Sequence, residues 1–125
     1  MAAAATRGGS KPAWIVSGIL ALLFIASGAT KLAGLAPHPE QFAHWGYPIW
    51  FMYVVGAWEV GGAVGLMVSP MAYFAALFLG VDMAGAVITN IRAGDGARMA
   101  FPLALLLLLA YVAYARRGAR SRAMA

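Results

Sequence analysis

Two apolar runs, residues 49–68 and 71–91, are separated only by Ser69 and Pro70. Each is long enough to cross the roughly 30 Å hydrocarbon core of a bilayer as a helix, and so short a joint forces the pair into an antiparallel hairpin. Two further apolar runs, residues 13–32 and the leucine-rich 101–115, flank that hairpin. Backbone polar groups in lipid must be satisfied within the segment that carries them, so the pattern predicts an all-α integral membrane protein, a four-helix transmembrane bundle. The composition agrees: 10% of residues are charged, against roughly 25% in an ordinary soluble domain. Residues 1–125 therefore read as one membrane domain with tails at 1–12 and 116–125.

Between the first two spans lies a loop with Pro37, Pro39 and Pro48, in which residues 40–45 can form a turn or two of interfacial helix. Trp45, Tyr47, Trp50 and Tyr53 gather there, as amphipathic rings do at headgroup level. Gly94-Asp95-Gly96 marks the turn before the last span. The first span also has the outline of a signal peptide, with Ala26-Ser27-Gly28-Ala29 as a cleavage site. Its small residues Ser17, Gly18, Ala21 and Gly28 suit helix packing better than removal, so it is expected to stay and to pack on the second span.

Four spans place both termini on one side. That side carries Arg7, Lys11, Arg116, Arg117, Arg120 and Arg122, the other Lys31, Arg92 and Arg98. The excess predicts an N-in, C-in protein of the inner (cytoplasmic) membrane. The net charge of +5 then reflects topology and attraction to anionic lipid, and nucleic acid is excluded as a partner. With no cysteine, the chain makes no disulfide, thiolate or iron–sulfur site and attaches no c-type haem. A redox role would need a diffusible carrier or a partner subunit. No Walker loop, dinucleotide fingerprint or Ser-His-Asp set is present, so the chain has no self-contained catalytic motif.

The polar residues inside the spans matter most, because an acid in hydrocarbon costs at least a few kcal/mol unless paired, protonated or turned to a polar interior. Glu59 and Asp82 are such acids, and both are candidates for proton or ligand handling. Glu59 shares its face with Gly56, Gly62 and Ala63, and Asp82 with Gly85, Ala86 and Thr89. Gly61 and Gly65 form a GxxxG pair. Both acids should face the bundle interior at similar depth, where one would hold a proton unless a cation intervened. Lys31 and Arg92 are the candidate ion-pair partners. A plainer reading makes the acids hydrogen-bonding glue between helices, with Thr30, Thr89 and Asn90 as partners; it suits Asp82 better than Glu59. His38, Glu40 and His44 form a weak metal-site candidate, since Glu40 and His44 stand four apart but Pro39 separates His38 from the turn.

Four segments, Ser27-Gly28-Ala29-Thr30-Lys31-Leu32, Phe42-Ala43-His44-Trp45-Gly46-Tyr47-Pro48, Gly56-Ala57-Trp58-Glu59-Val60-Gly61-Gly62 and the stretch from Gly85-Ala86-Val87 to Ala93-Gly94-Asp95, stand in an order that resembles the DoxX-like family of small bacterial four-helix membrane proteins. Lys31, Glu59 and Arg92 match polar positions of that pattern; family members often carry His where Asn90 stands, and Asp82 is not part of the pattern. The wider family includes the small subunit of an archaeal thiosulfate:quinone oxidoreductase and membrane partners of oxidant-defence enzymes. The resemblance implies a membrane accessory subunit of a redox or quinone-linked assembly, with quinone as candidate ligand, a redox protein as candidate partner and no covalent cofactor. Alternatives are a proton-coupled carrier of a small solute acting as a homo-oligomer, a membrane enzyme with Glu59 as general base, and a purely structural subunit.

The topology has a direct test. Single cysteines placed at Ala36 and Gly96 of this cysteine-free chain should both react with a membrane-impermeant thiol reagent in intact cells. Protection of either refutes the N-in, C-in arrangement.

Overall fold

The computed structural model describes residues 11–117. Arg7, Arg120 and Arg122, counted above toward the terminal side, lie outside the described residues. The chain forms α1 (Lys11–Leu32), α2 (His38–Trp45), α3 (Ile49–Leu66), α4 (Ala72–Arg92) and α5 (Ala100–Ala115), with 3₁₀ turns at Ser69–Met71 and Gly96–Met99. There is no strand among the described residues. Four helical stretches, Lys11–Leu32, Ile49–Leu66, Ser69–Arg92 and Gly96–Ala115, are long and apolar enough to cross a membrane. The expected span limits shift by one or two residues, the ordinary uncertainty of helix ends. The interfacial helix begins at His38 instead of Glu40, because Pro39 sits in its first turn, where a missing N–H costs nothing.

The ends of the helices are set by local chemistry. α1 and α4 both stop at a glycine in the left-handed region, Gly34 (φ 68°) and Gly94 (φ 78°). Leu35 N–H returns to Thr30 O at 3.0 Å and Asp95 N–H to Asn90 O at 2.8 Å, which closes each end as a Schellman motif and satisfies carbonyls otherwise orphaned. A residue with a Cβ would be strained at either position. These two caps fix the last turns, which carry Lys31 and Asn90. α3 starts directly after Pro48, whose extended backbone (ψ 153°) turns the chain from the interfacial segment into the bundle.

Lipid tails are as apolar as leucine, so helices in a bilayer associate through close packing and polar contacts instead of through a hydrophobic driving force. α1 packs most extensively on α3, and α4 on α5. The α1–α3 contact is closest at Gly28 and Gly56: a Cβ on Gly28 would lie 2.5 Å from the Gly56 carbonyl oxygen, and one on Gly56 would lie 2.8 Å from that of Gly28. Gly65 meets Ala75, and Gly62 accommodates the Leu79 side chain. The remaining two packing candidates behave otherwise. Gly61 and Gly85 are exposed and face open space, so Gly61 and Gly65 do not act as a paired motif; the α1–α3 seam runs along the neighbouring face through Gly56.

Beneath the interfacial end the interior is apolar, filled by Leu20, Phe24, Leu66, Leu79, Leu109 and Val112. At the terminal end sits Arg116, which the sequence places among solvated tail charges. It is wholly buried, donates from Nη1 to Ser17 Oγ (2.9 Å) and Leu66 O (2.8 Å), and stacks 3.9 Å above the Trp14 ring. The cation thus meets the carbonyl end of α3, where the helix dipole favours positive charge, and ties α1, α3 and the end of α5 together.

The packing predicts an ordered mutant series. Gly28→Ala and Gly56→Ala should each cost about 1–3 kcal/mol, the usual range for overpacking, whereas Gly61→Leu and Gly85→Leu should stay within about 0.5 kcal/mol of wild type. Thermal unfolding in mild detergent measures the series. Equal losses at Gly28 and Gly61 overturn the assigned seam.

Candidate functional site

The loop-proximal half of the bundle holds a cluster of polar groups. From the last turn of α1, Lys31 reaches Glu59 of α3, with Nζ to Oε1 at 3.0 Å. Ser27, one turn earlier on α1, completes a triangle: Lys31 Nζ donates to Ser27 Oγ at 2.6 Å, and Ser27 Oγ donates to Glu59 Oε1 at 2.7 Å. Spacing on the helix explains this, since residues four apart share a face. Their side chains are 11% and 2% exposed for Lys31 and Glu59, so the pair stands in low dielectric, where losing one partner leaves an uncompensated charge.

Asp82 of α4 lines the same cavity as Glu59. Its Oδ2 is buried without a hydrogen-bond partner. Helix glue therefore describes at most part of this carboxyl. Lys31, Glu59 and Asp82 bring one ammonium and two carboxyl groups together, and the Arg98 guanidinium lines the same cavity. Asn90, 5% exposed, uses Nδ2 to bond Ala86 O at 2.9 Å, and its Oδ1 is buried and unpartnered. Lys31, Glu59, Asp82 and Asn90 all line a cavity of about 350 Å³, whose other walls include Phe24, Leu105 and Trp45.

Several residues stand elsewhere than the sequence suggested. Arg92 is exposed and does not line this cavity; the arginine at its edge is Arg98. Thr30 bonds the Ala26 and Ser27 carbonyls of its own helix and the His38 ring at 2.9 Å, while Thr89 bonds the Tyr47 hydroxyl at 2.7 Å. Neither serves an acid. His38, Glu40 and His44 do not converge: His38 turns inward to Thr30, and His44 Nε2 lies 3.2 Å from Asp95 Oδ2. No group of three metal-binding side chains occurs among the described residues. Burial holds the His38 imidazole below its ordinary range, the Lys31 charge pushes it the same way, and Glu59 acts in the opposite direction. The ring adds no second cation to the cluster at neutral pH. Ser27, Trp45 and Arg98 are the site residues that sequence reasoning passed over; for Ser27 the signal was its four-residue spacing from Lys31.

The sequence matches the DoxX-like family over residues 15–112, and the chain belongs to that family. It is similar to a Bacillus subtilis (strain 168) protein described as "Uncharacterized protein YdgD", with 30% identity over 95 residues, 72% of this chain and 83% of that protein. No solved structure matches it. The matched region runs from the start of α1 to near the end of α5 and so includes every residue of the polar cluster.

The ion pair yields a prediction by double-mutant cycle. Lys31→Met should cost about 3–5 kcal/mol, as expected when a buried charge loses its partner, and the added change Glu59→Gln should restore part of that loss. Arg92→Met should leave stability within about 0.5 kcal/mol of wild type. Additive losses at Lys31 and Glu59 would show that the two are not coupled.

Proposed function

We propose that the chain is a small inner-membrane accessory subunit that holds a quinone-type ring beside Lys31, Glu59 and Asp82 for a redox partner, with both termini cytoplasmic. The observation that carries this reading is the convergence of the Lys31 ammonium, two carboxyl groups and an unpartnered amide oxygen on a cavity whose remaining walls are mostly apolar, with Ser27, Gln41 and Arg98 as its other polar residues. At about 350 Å³ it falls in the range of small-molecule sites, which combine apolar walls with a few placed polar groups. A ring with two carbonyl oxygens fits those donors: the Lys31 ammonium on one side and a protonated carboxyl on the other.

A bound quinone would supply two-electron acceptor chemistry, with both electrons from the partner, one proton from the protonated acid of the site and the second from water on the loop side. The residues of this chain do the rest. Lys31 and Asp82 orient the ring oxygens, Glu59 and Asp82 hold and release protons, and Phe24, Leu105 and Trp45 exclude water. Low dielectric strengthens each of these interactions relative to water. The absence of cysteine supports a role in which electrons arrive from another protein. The six basic residues of the terminal side, against three on the other, support the orientation.

Purification in mild detergent, with identification of copurifying proteins and lipophilic molecules, tests the assignment. A quinone should copurify with wild type, and folded Glu59→Gln should retain it but lose quinone-linked turnover, since an amide keeps the volume and hydrogen-bonding capacity but cannot titrate. Undiminished quinone binding and turnover in that variant would sink proton handling by Glu59.

A further inference from the structure

Beside the polar cavity lies a second one, of about 320 Å³, between α3 and α4. The two share the side chains of Trp45, Val55, Asp82 and Ala86, so only that partition separates them. Their chemistry differs. Phe51 and Trp58 wall the second cavity from α3, and the polar groups of its lining away from the shared partition are already engaged. Tyr47 and Thr89 bond each other at 2.7 Å, and Trp58 Nε1 donates to Phe78 O at 2.7 Å. Asp82 and the Trp45 indole, both on the partition shared with the first cavity, are the groups of its lining left to offer a ligand a hydrogen bond.

Its α4 wall contains Val81, Gly85 and Ile88, which fall on one helical face. Val81 and Ile88 are 63% and 57% exposed, so this face meets acyl chains when the helices span a bilayer. Gly85 contributes no side chain between them, and a Cβ added there would touch nothing within 4 Å. An apolar gap thus runs from the lipid-facing surface to the Asp82 partition, and beyond that partition lie Lys31, Glu59 and the unpartnered Asn90 Oδ1.

We propose that the second cavity is a lateral slot for the apolar tail of an amphiphile whose polar ring occupies the Lys31–Glu59–Asp82 site, with Asp82 at the threshold between ring and tail. This rests on the ring-site reading of the first cavity. A tailed amphiphile dissolved in a membrane loses its favourable tail contacts if it must reach the site through water. Passage between α3 and α4 keeps the tail in an apolar setting throughout and brings donors to the ring at the end of the path.

Binding of decylubiquinone and of its tailless head, ubiquinone-0, to the purified protein in nanodiscs tests the slot. Gly85→Leu places a side chain in the gap without displacing packed atoms. Gly61→Leu is the matched control, at an exposed position of α3 that lines neither cavity. Gly85→Leu should weaken decylubiquinone roughly tenfold or more and leave ubiquinone-0 within about twofold, and Gly61→Leu should leave both unchanged. Equal effects of Gly85→Leu on the two probes, an effect of Gly61→Leu as large, or wild-type binding of the head but not the tailed form overturns the slot while the ring site stands. Binding of neither probe to wild type removes the ring site, and the slot with it.

Discussion

The arrangement of this bundle depends on one ion pair held out of water. Lys31 and Glu59 lie 3.0 Å apart, and in a medium of low dielectric neither charge is tolerable without the other. Their meeting requires that α1 and α3 touch backbone to backbone, which Gly28 and Gly56 allow. It also requires that α1 end just past Lys31, which the turn at Gly34 ensures. Asp82 then completes the set from α4, so the position of the third membrane-crossing helix is tied to the charge balance of the first two.

The sequence made the spans and the identity of the critical polar residues legible, because hydropathy and the cost of burying charge act locally along a chain. What it left open was register between helices. Lys31 and Arg92 stand at the same end of the bundle and are equally plausible partners until the α1–α3 seam is known; that seam follows Gly28 and Gly56, whereas the conspicuous glycine spacing is Gly61 and Gly65. Gly61 and Gly85 face outward, a matter of helix rotation that glycine spacing alone does not fix. Arg116 was hidden for a different reason. A basic residue just after an apolar run has the composition of a headgroup anchor, and only its contacts with Trp14, Ser17 and Leu66 reveal a packed one.

The two ends of the bundle use buried cations differently. At the terminal end Arg116 meets a ring face, a hydroxyl and a helix-end carbonyl, which are neutral partners suited to holding helices in place. At the interfacial end Lys31 meets a hydroxyl and a carboxylate, beside a second acid and two orphaned oxygens. The first arrangement joins three helices through one guanidinium. The second leaves hydrogen-bonding capacity directed at a cavity, and a site that binds something must have such capacity to offer.

Between these ends lies the packed layer of Leu20, Phe24, Leu66, Leu79, Leu109 and Val112. The layer contains no charged side chain, so among the described residues the buried charge of the bundle falls into two separate groups, one around Lys31 and Glu59 at the loop end and one at Arg116 at the terminal end. Each must find its compensation at its own end of the molecule.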